Sequence, residues 1–182
     1  PINLPESNVK GLELELQTNF QLLPVPNFLK GVVIGFNYSW IQSSTYFPFS
    51  KTTTKIVVDP TPRVVTETET GLREGKVPGQ ADNLMNISLG YDYKGFSARL
   101  SMFSQSESIE EVGTQKELDS YRDGYTRWDL SIKQKVLEFM DIFVNAVNIN
   151  KKTDESFQSS SSFNTAIEDF GRSFELGVQL SF

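Results

Sequence analysis

At 182 residues the chain is long enough for one domain with a real core, yet it has neither cysteine nor histidine, so disulfides, thiol chemistry, cysteine metal sites and the usual acid/base side chain are all excluded. Its net charge of -6 argues against nucleic acid as a partner, which calls for a basic face. A membrane-spanning helix needs about 20 mostly apolar residues in a row, and the longest candidate, Phe28 to Tyr38, is broken by Lys30, Gly31, Gly35 and Asn37.

The dominant signal is period two, in which apolar and polar residues alternate because successive side chains on a strand point to opposite faces. In chain order it predicts strands near 8–20, 31–46, 80–93, 96–106, 125–136, 141–150 and 172–182. The first sets Leu12, Leu14 and Leu16 against Glu13, Glu15 and Gln17, and the second sets Val32, Ile34, Phe36, Tyr38 and Trp40 against Gly35, Asn37 and Ser39. The third carries Met85, Ile87, Leu89, Tyr91 and Tyr93 on one face, and the fourth Phe96, Ala98, Leu100 and Met102. Trp128, Leu130 and Ile132 oppose Asp129, Ser131 and Lys133 in the fifth; the sixth is apolar on both faces in its first half; the last carries Phe174, Leu176, Val178, Leu180 and Phe182.

The connections alternate in length. Short links follow the first, third and fifth strands (around Pro24 and Pro26, at Tyr93-Lys94-Gly95-Phe96, and at Leu137 to Met140), while long polar links at 47–79, 107–124 and 151–171 follow the others. Short turns on one side and long loops on the other are how outer-membrane barrels are built. Within the first long loop, Lys55 to Val58 and Arg63 to Glu69 flank Asp59-Pro60-Thr61-Pro62, which predicts a projecting hairpin. The acids between Ser104 and Gly124 read as a solvated loop, and the Ser-rich tract Gln158 to Ser162 as a mobile one.

The segments are long enough to cross a bilayer as tilted strands of about 9 to 11 residues, and aromatic residues stand near several of their ends, as interfacial girdles do. Seven strands is an odd number, whereas single-chain bacterial barrels have even ones. We therefore expect the C-terminal part of a transmembrane β-barrel, with the chain a piece of something longer, or else one strand uncounted. An eight-stranded barrel with a structural or adhesive role, taking its last strand from Lys55 to Glu69, is one competing reading. A soluble β-sandwich binding module, whose apolar faces would pack on each other, is another.

The terminal Phe174 to Phe182 resembles the signal by which outer-membrane proteins reach their assembly machinery, with Gly177, Leu180 and Phe182 matching it. Other stretches resemble the last third of TonB-dependent receptors, especially those of the Bacteroidetes type. They are Asn8 to Glu13, Gly35 to Ser39, Val77 to Ala81, Tyr93 to Arg99 and Val147 to Asn150. The resemblance implies an outer-membrane barrel of about 22 strands, active import of an iron chelate, vitamin or glycan, and no enzymatic activity. It implies lipid, the TonB complex and the barrel assembly machinery as partners, with a surface lipoprotein a further one to look for. The plug domain and energy-coupling box would lie upstream.

Candidate site residues follow from this reading. Glu13, Glu15, Arg99, Asp129 and Lys133 would point into the lumen, forming ion pairs or meeting the plug. Tyr46, Phe47, Phe49, Tyr121 and Tyr125 are the candidates for ligand contact, against the plainer account of an upper aromatic girdle. No metal or cofactor is expected. Glu67 with Glu69 and Glu110 with Glu111 are read as solvated charge, and Gly71 to Lys76 lacks the spacing of a phosphate loop.

Overall fold

The alternation predicts strands whose two faces differ, and the architecture follows from how those strands align. A computed structural model describes residues 6–58 and 60–181 of the chain. Among these residues twelve strands run in the order β1 (Ser7–Asn19), β2 (Val32–Val58), β3 (Pro62–Gly75), β4 (Asn83–Tyr93), β5 (Phe96–Gln105), β6 (Ser108–Glu111), β7 (Ser120–Arg122), β8 (Tyr125–Leu137), β9 (Met140–Val147), β10 (Asp154–Gln158), β11 (Asn164–Glu168) and β12 (Ser173–Leu180). The only helical turn among the described residues is the 3-10 turn at Lys116–Leu118.

Seven of these strands form an antiparallel wall in the order β1-β2-β4-β5-β8-β9-β12, with β3 added to β2 alone. The all-β antiparallel meander is therefore what the chain forms; the wall is open, with β1 and β12 as its edges. Residues directly opposite on antiparallel strands share a face, so the register sorts the wall into two sides. One rung runs Thr18, Ile34, Leu89, Leu100, Leu130, Ala146, Phe174, and the next on the same side runs Val32, Tyr91, Ala98, Ile132, Val144, Leu176. The rung between them, Asn19, Val33, Gly90, Arg99, Ser131, Asn145, Glu175, lies on the opposite, polar side. This settles β9: Ile142, Val144 and Ala146 belong to the apolar face and Asp141, Phe143 and Asn145 to the polar one.

Among the described residues nothing covers the apolar face. Leu12, Leu14, Leu16, Leu89, Phe174 and Leu176 are all at least half exposed, Leu176 at 76%, so among the described residues no second apolar face packs on this one as a sandwich would require. Aromatic rings mark this face near its margins: Tyr91 lies 6.2 Å from Tyr93 and 6.3 Å from Phe96, centroid to centroid, at the short-turn end. At the other end Trp40 is exposed and the Tyr38 hydroxyl donates to Asn83 Oδ1 at 2.6 Å.

Two of the short links are two-residue turns, at Tyr93–Phe96 and Leu137–Met140, while the link between β1 and β2 is a longer run of turns over 20–31. Lys94 and Gly95 both have positive φ (49° and 79°), and Tyr93 pairs with Phe96, which is the two-residue turn whose twist suits a hairpin. The long links are where expectation and structure part. The segment 47–79 does carry the expected hairpin, but as an extension of the wall strand and not as a separate element within a loop: β2 continues without a register shift to Val58 and pairs with β3 from Thr45–Gly75 to Val58–Pro62. Because β3 meets only β2 beyond the wall, it adds no eighth spanning strand. Asp59 of the expected turn, Pro1 to Pro5, and Phe182 of the terminal signal fall outside the described residues.

The other two long links pair with each other in a second antiparallel sheet, β11-β10-β7-β6, and Gln158 to Ser162, read as mobile, closes the β10–β11 hairpin through Gln158 N donating to Phe163 O at 3.0 Å. Most of the buried apolar side chains sit here and not in the wall: Phe47, Ala81, Ile109 and Phe157, beside Met102 and Ala146 in the wall itself. Their centre is polar. Asp119, read as solvated, is 1% exposed; Arg73 of β3 donates to it through both terminal nitrogens, Nη1 to Oδ2 at 3.0 Å, and Gly113 N donates to its Oδ1 at 2.9 Å. The Asp119 carbonyl then accepts from Ser159 N at 3.0 Å, so one residue joins the hairpin and both remaining loops. Removing one partner of a buried ion pair costs roughly 3–5 kcal/mol, so Asp119→Ala should speed hydrogen exchange at Gly113 and Ser159 while leaving β4 and β5 amides protected. Equal exchange in both proteins would mean that the clamp holds nothing.

Candidate functional site

The polar face is built as a hydrogen-bonded ladder. Asn37 Nδ2 donates to Glu13 Oε1 at 3.0 Å, Ser131 Oγ to Asn145 Oδ1 at 2.7 Å, and Asn145 Nδ2 to Glu175 Oε2 at 2.9 Å. Asp92 accepts from Arg99 and from Ser97 Oγ, the latter at 2.7 Å. Asp129 accepts from Arg127 Nε at 3.1 Å and from Asn148 N at 2.9 Å, and Lys133 reaches Asp141 at 3.7 Å. The register thus places Glu13, Glu15, Arg99, Asp129 and Lys133 on one side of the wall, and all but Glu15 have a polar partner there. Phe143 lies across Gly177 on the same side and occupies the space that a Cβ at Gly177 would fill.

A cavity of about 510 Å³ opens where this polar face meets the loops. Its floor is Ile41 and Leu84, two apolar residues on the wall's polar side, with Gln105 beside them; Pro78 to Ala81 forms one lip, and Ser108, Glu110 and Arg122 of the second sheet form the other. The first lip is pinned at both ends. Val77 N donates to Ser43 Oγ at 3.1 Å, Gly79 N to Ile109 O at 2.7 Å, and Ile41 N to Asp82 O at 2.8 Å. Arg122 is held by Asp154, its Nε donating to Oδ1 at 3.0 Å, and this carboxylate, with Glu110 and Glu168 farther off, raises its pKa still further.

Of the five aromatic candidates, the structure brings none to the cavity lining. Tyr46 shares the side of Trp40 and is exposed there. Phe47 is buried with the Arg73 guanidinium 5.9 Å from its ring centre, Phe49 lies against Gly71, and Tyr121 stacks on Phe157 at 5.3 Å. Tyr125 pairs with Gln105 at the wall's upper margin. The cavity residues were missed because they come from four separate segments. Ile41 and Leu84 alone could have been noticed, as apolar residues on the wrong parity of their strands.

Burial, reinforced by the carboxylates of Asp119 and Glu107, pushes the Tyr121 hydroxyl above the usual tyrosine range. A raised pKa means that the neutral ring is the form the fold favours, so its contribution is intact below the ordinary tyrosine value and lost as pH rises through the folded one. The alkaline absorbance titration of Tyr121→Phe should lack one late-titrating tyrosine; loss of an ordinary one would place Tyr121 in water.

An uncovered apolar face with aromatic margins, a hydrogen-bonded polar face, and long links confined to one end define the wall of an outer-membrane β-barrel. The family model described as TonB dependent receptor-like, beta-barrel matches residues 1–149, and the chain belongs to that family. A search of curated proteins and a search of solved structures each returned no match. The protein is accordingly a bacterial outer-membrane one with a role in transport, in a family that works with TonB and sits in lipid. With the apolar face in lipid, Leu89→Arg should destabilise the folded barrel by roughly 2–4 kcal/mol and Ser88→Arg, on the polar side, by much less. Urea unfolding in vesicles reads the difference, and equal effects would contradict the assignment of faces.

Proposed function

We propose that this chain is the C-terminal barrel wall of a TonB-dependent importer and that the cavity at Ile41, Leu84, Gln105, Glu110 and Arg122 is part of its ligand-capture surface. The observation that carries the reading is the apolar floor on the lumen side. In a water-filled lumen Ile41 and Leu84 gain nothing from solvent, whereas a pocket with an apolar base and a few convergent polar groups suits a small molecule. Gln80, Gln105 and Ser108 supply neutral donors and acceptors around that base.

Charge narrows the nutrient. The segments 107–124 and 151–171 together carry ten acidic and four basic side chains, so the whole net charge of -6 resides in them. Arg122, the cationic group at the cavity, is already matched by Asp154. A mouth of negative potential lowers the local concentration of anions, which favours a neutral or cationic nutrient, a glycan or an uncharged vitamin, over an anionic iron chelate. The clamp at Asp119 would set the height of the second sheet over the floor, and Glu13, Glu15, Arg99, Asp129 and Lys133 would face the plug. Gly177, Leu180 and Phe182 would present the chain to the assembly machinery, and energy would arrive through TonB acting on the upstream part.

The test is binding and uptake by the intact receptor of three probes: a neutral oligosaccharide mixture, a corrinoid, and an anionic ferric chelate. One of the uncharged probes should bind, and Leu84→Asn should weaken it by about tenfold, the equivalent of 1.4 kcal/mol, with heat-modifiable gel migration unchanged. Binding of the ferric chelate alone, or uptake indifferent to Leu84→Asn, would defeat this account of the cavity.

A further inference from the structure

The register assigns a side to the residues of the seven wall strands, and their charges fall on the polar side with one exception. Among the described residues of these strands, Lys10 of β1 is the one charged side chain on the lipid-facing side. Its height follows from the ladder. Lys10 pairs opposite Gln42, which lies ten residues along β2 from Val32, the partner of Tyr91 at the lower aromatic margin. Ten residues of strand rise about 33 Å, and at a tilt of about 40° this gives about 25 Å of height, the depth of the apolar band of an outer-membrane barrel. Lys10 therefore stands at the upper boundary of the hydrocarbon, one same-side rung above Leu12 and Trp40.

A lysine on the lipid side is costly at the bilayer midplane and costs little near the interface, which permits Lys10 here but does not account for its surroundings. Lys10 lines a cavity of about 420 Å³ together with Asn8, Gln42 and Ser44, whose side chains lie on the same side of the wall. Asn8 Nδ2 donates to Glu6 Oε1 at 3.3 Å and Ser44 Oγ to Glu74 Oε1 at 2.6 Å. Lys10 is exposed and takes part in no ion pair of the described residues. An ammonium with three donors and the Gln42 amide with two thus share one concavity. The carboxylates above it do not close on Lys10: Glu74 pairs opposite Tyr46, about 13 Å farther along β2 than Gln42, and Glu6 precedes the start of β1.

We propose that this cavity holds the phosphate of an outer-leaflet lipid headgroup, with the Lys10 ammonium and the Gln42 amide as its donors and Trp40 beneath it at the top of the acyl chains. The occupant follows from what surrounds this face. Lipid covers it, and at this height a lipid presents its headgroup. The long links place Lys10 on the outer side of the membrane, where the leaflet carries phosphorylated glycolipid. Its charge is opposite to that of Lys10, and its oxygens accept what Lys10 and Gln42 donate. An exposed ion pair is weak in water, but here hydrocarbon lies directly below and strengthens it. Free phosphate offers the same oxygens without chains to lie along Leu12, Leu14 and Leu16, which continue the same side of β1 downward. The lipid makes both contacts as one ligand, so the second follows the first at high effective concentration.

The test uses the intact receptor in non-ionic detergent. Native mass spectrometry reads the lipid retained on titration with diphosphoryl lipid A, with the same lipid A dephosphorylated, and with inorganic phosphate as competitor. The wild type and Lys10→Arg, which keeps the charge and the donors for phosphate, should retain the phosphorylated lipid. Lys10→Gln should retain it about fivefold more weakly, the effect of one cation at an anionic lipid surface. Lys51→Gln, on the inward side of β2, should behave as the wild type, and heat-modifiable migration shows each barrel intact. Equal retention by Lys10→Gln, an equal loss from Lys51→Gln or Lys10→Arg, equal retention of the dephosphorylated lipid, or release of the lipid by inorganic phosphate would overturn the proposal.

Discussion

In hydrocarbon no water is present to satisfy a backbone amide or carbonyl, so each must find its partner along the ladder. That constraint governs this molecule. Slipping one strand by a single residue would turn all its leucines inward and all its carboxylates into lipid, so the seven wall strands are locked in register by the same forces that separate their faces. The irregularities observe this boundary. Register shifts occur at Lys135/Leu137 beside a short turn, and at Ile109/Glu111 and Ser156/Phe157 in the second sheet. The pairings between β1 and β8 across the wall contain none.

Above the lipid the rule changes, because water can satisfy a backbone group and an ordinary core has to hold the loops. That core is small and is organised by an ion pair. Arg73 is spread over the Phe47 ring and forked onto Asp119, so the cation is desolvated on one side by an aromatic face and matched on the other by a carboxylate. Asn148 has a comparable part at the lower edge of the loops. Its φ of 56° is a conformation asparagine tolerates better than most residues, and its side chain donates to Lys152 O at 3.0 Å and Gly171 O at 2.8 Å. The two ends of the 151–171 excursion are thereby brought together where β9 leaves the wall.

The wall was legible because its signal is local. Leu12, Leu14 and Leu16, or Met85 through Tyr93, declare a two-faced strand within a few residues, and the alternation of short and long links gives the orientation of the whole. What could not be read depends on distant partners. Asp119 looked solvated because it lies among Glu110, Glu111, Glu117 and Asp123; what removes it from water is Arg73, forty-six positions away. The extent of β2 was hidden by its composition, since Pro48 and the run Thr52-Thr53-Thr54-Lys55 read as loop. Pro48 sits in a hairpin beyond the wall, where one side of the strand has no ladder to interrupt, and threonine is a good strand residue. The cavity was hidden for the same reason as the clamp: Ile41, Leu84, Gln105 and Arg122 meet only after the wall and the second sheet have formed.

The length of β2 has a consequence for how these parts communicate. One unbroken 27-residue strand lies in the wall at Phe36, floors the cavity at Ile41, supports the lip through Ser43, packs under the Arg73 clamp at Phe47 and ends at the hairpin tip. A strand paired on both sides through Trp40 cannot slide, so a displacement of the hairpin must be absorbed above that point. The first groups to feel it are Ser43, which accepts from the lip at Val77, and Thr45, whose hydroxyl donates to the Glu6 carbonyl at 2.9 Å with no exposed surface. The rigid wall below and the Asp119 clamp above leave this short stretch as the link between the lip and the hairpin.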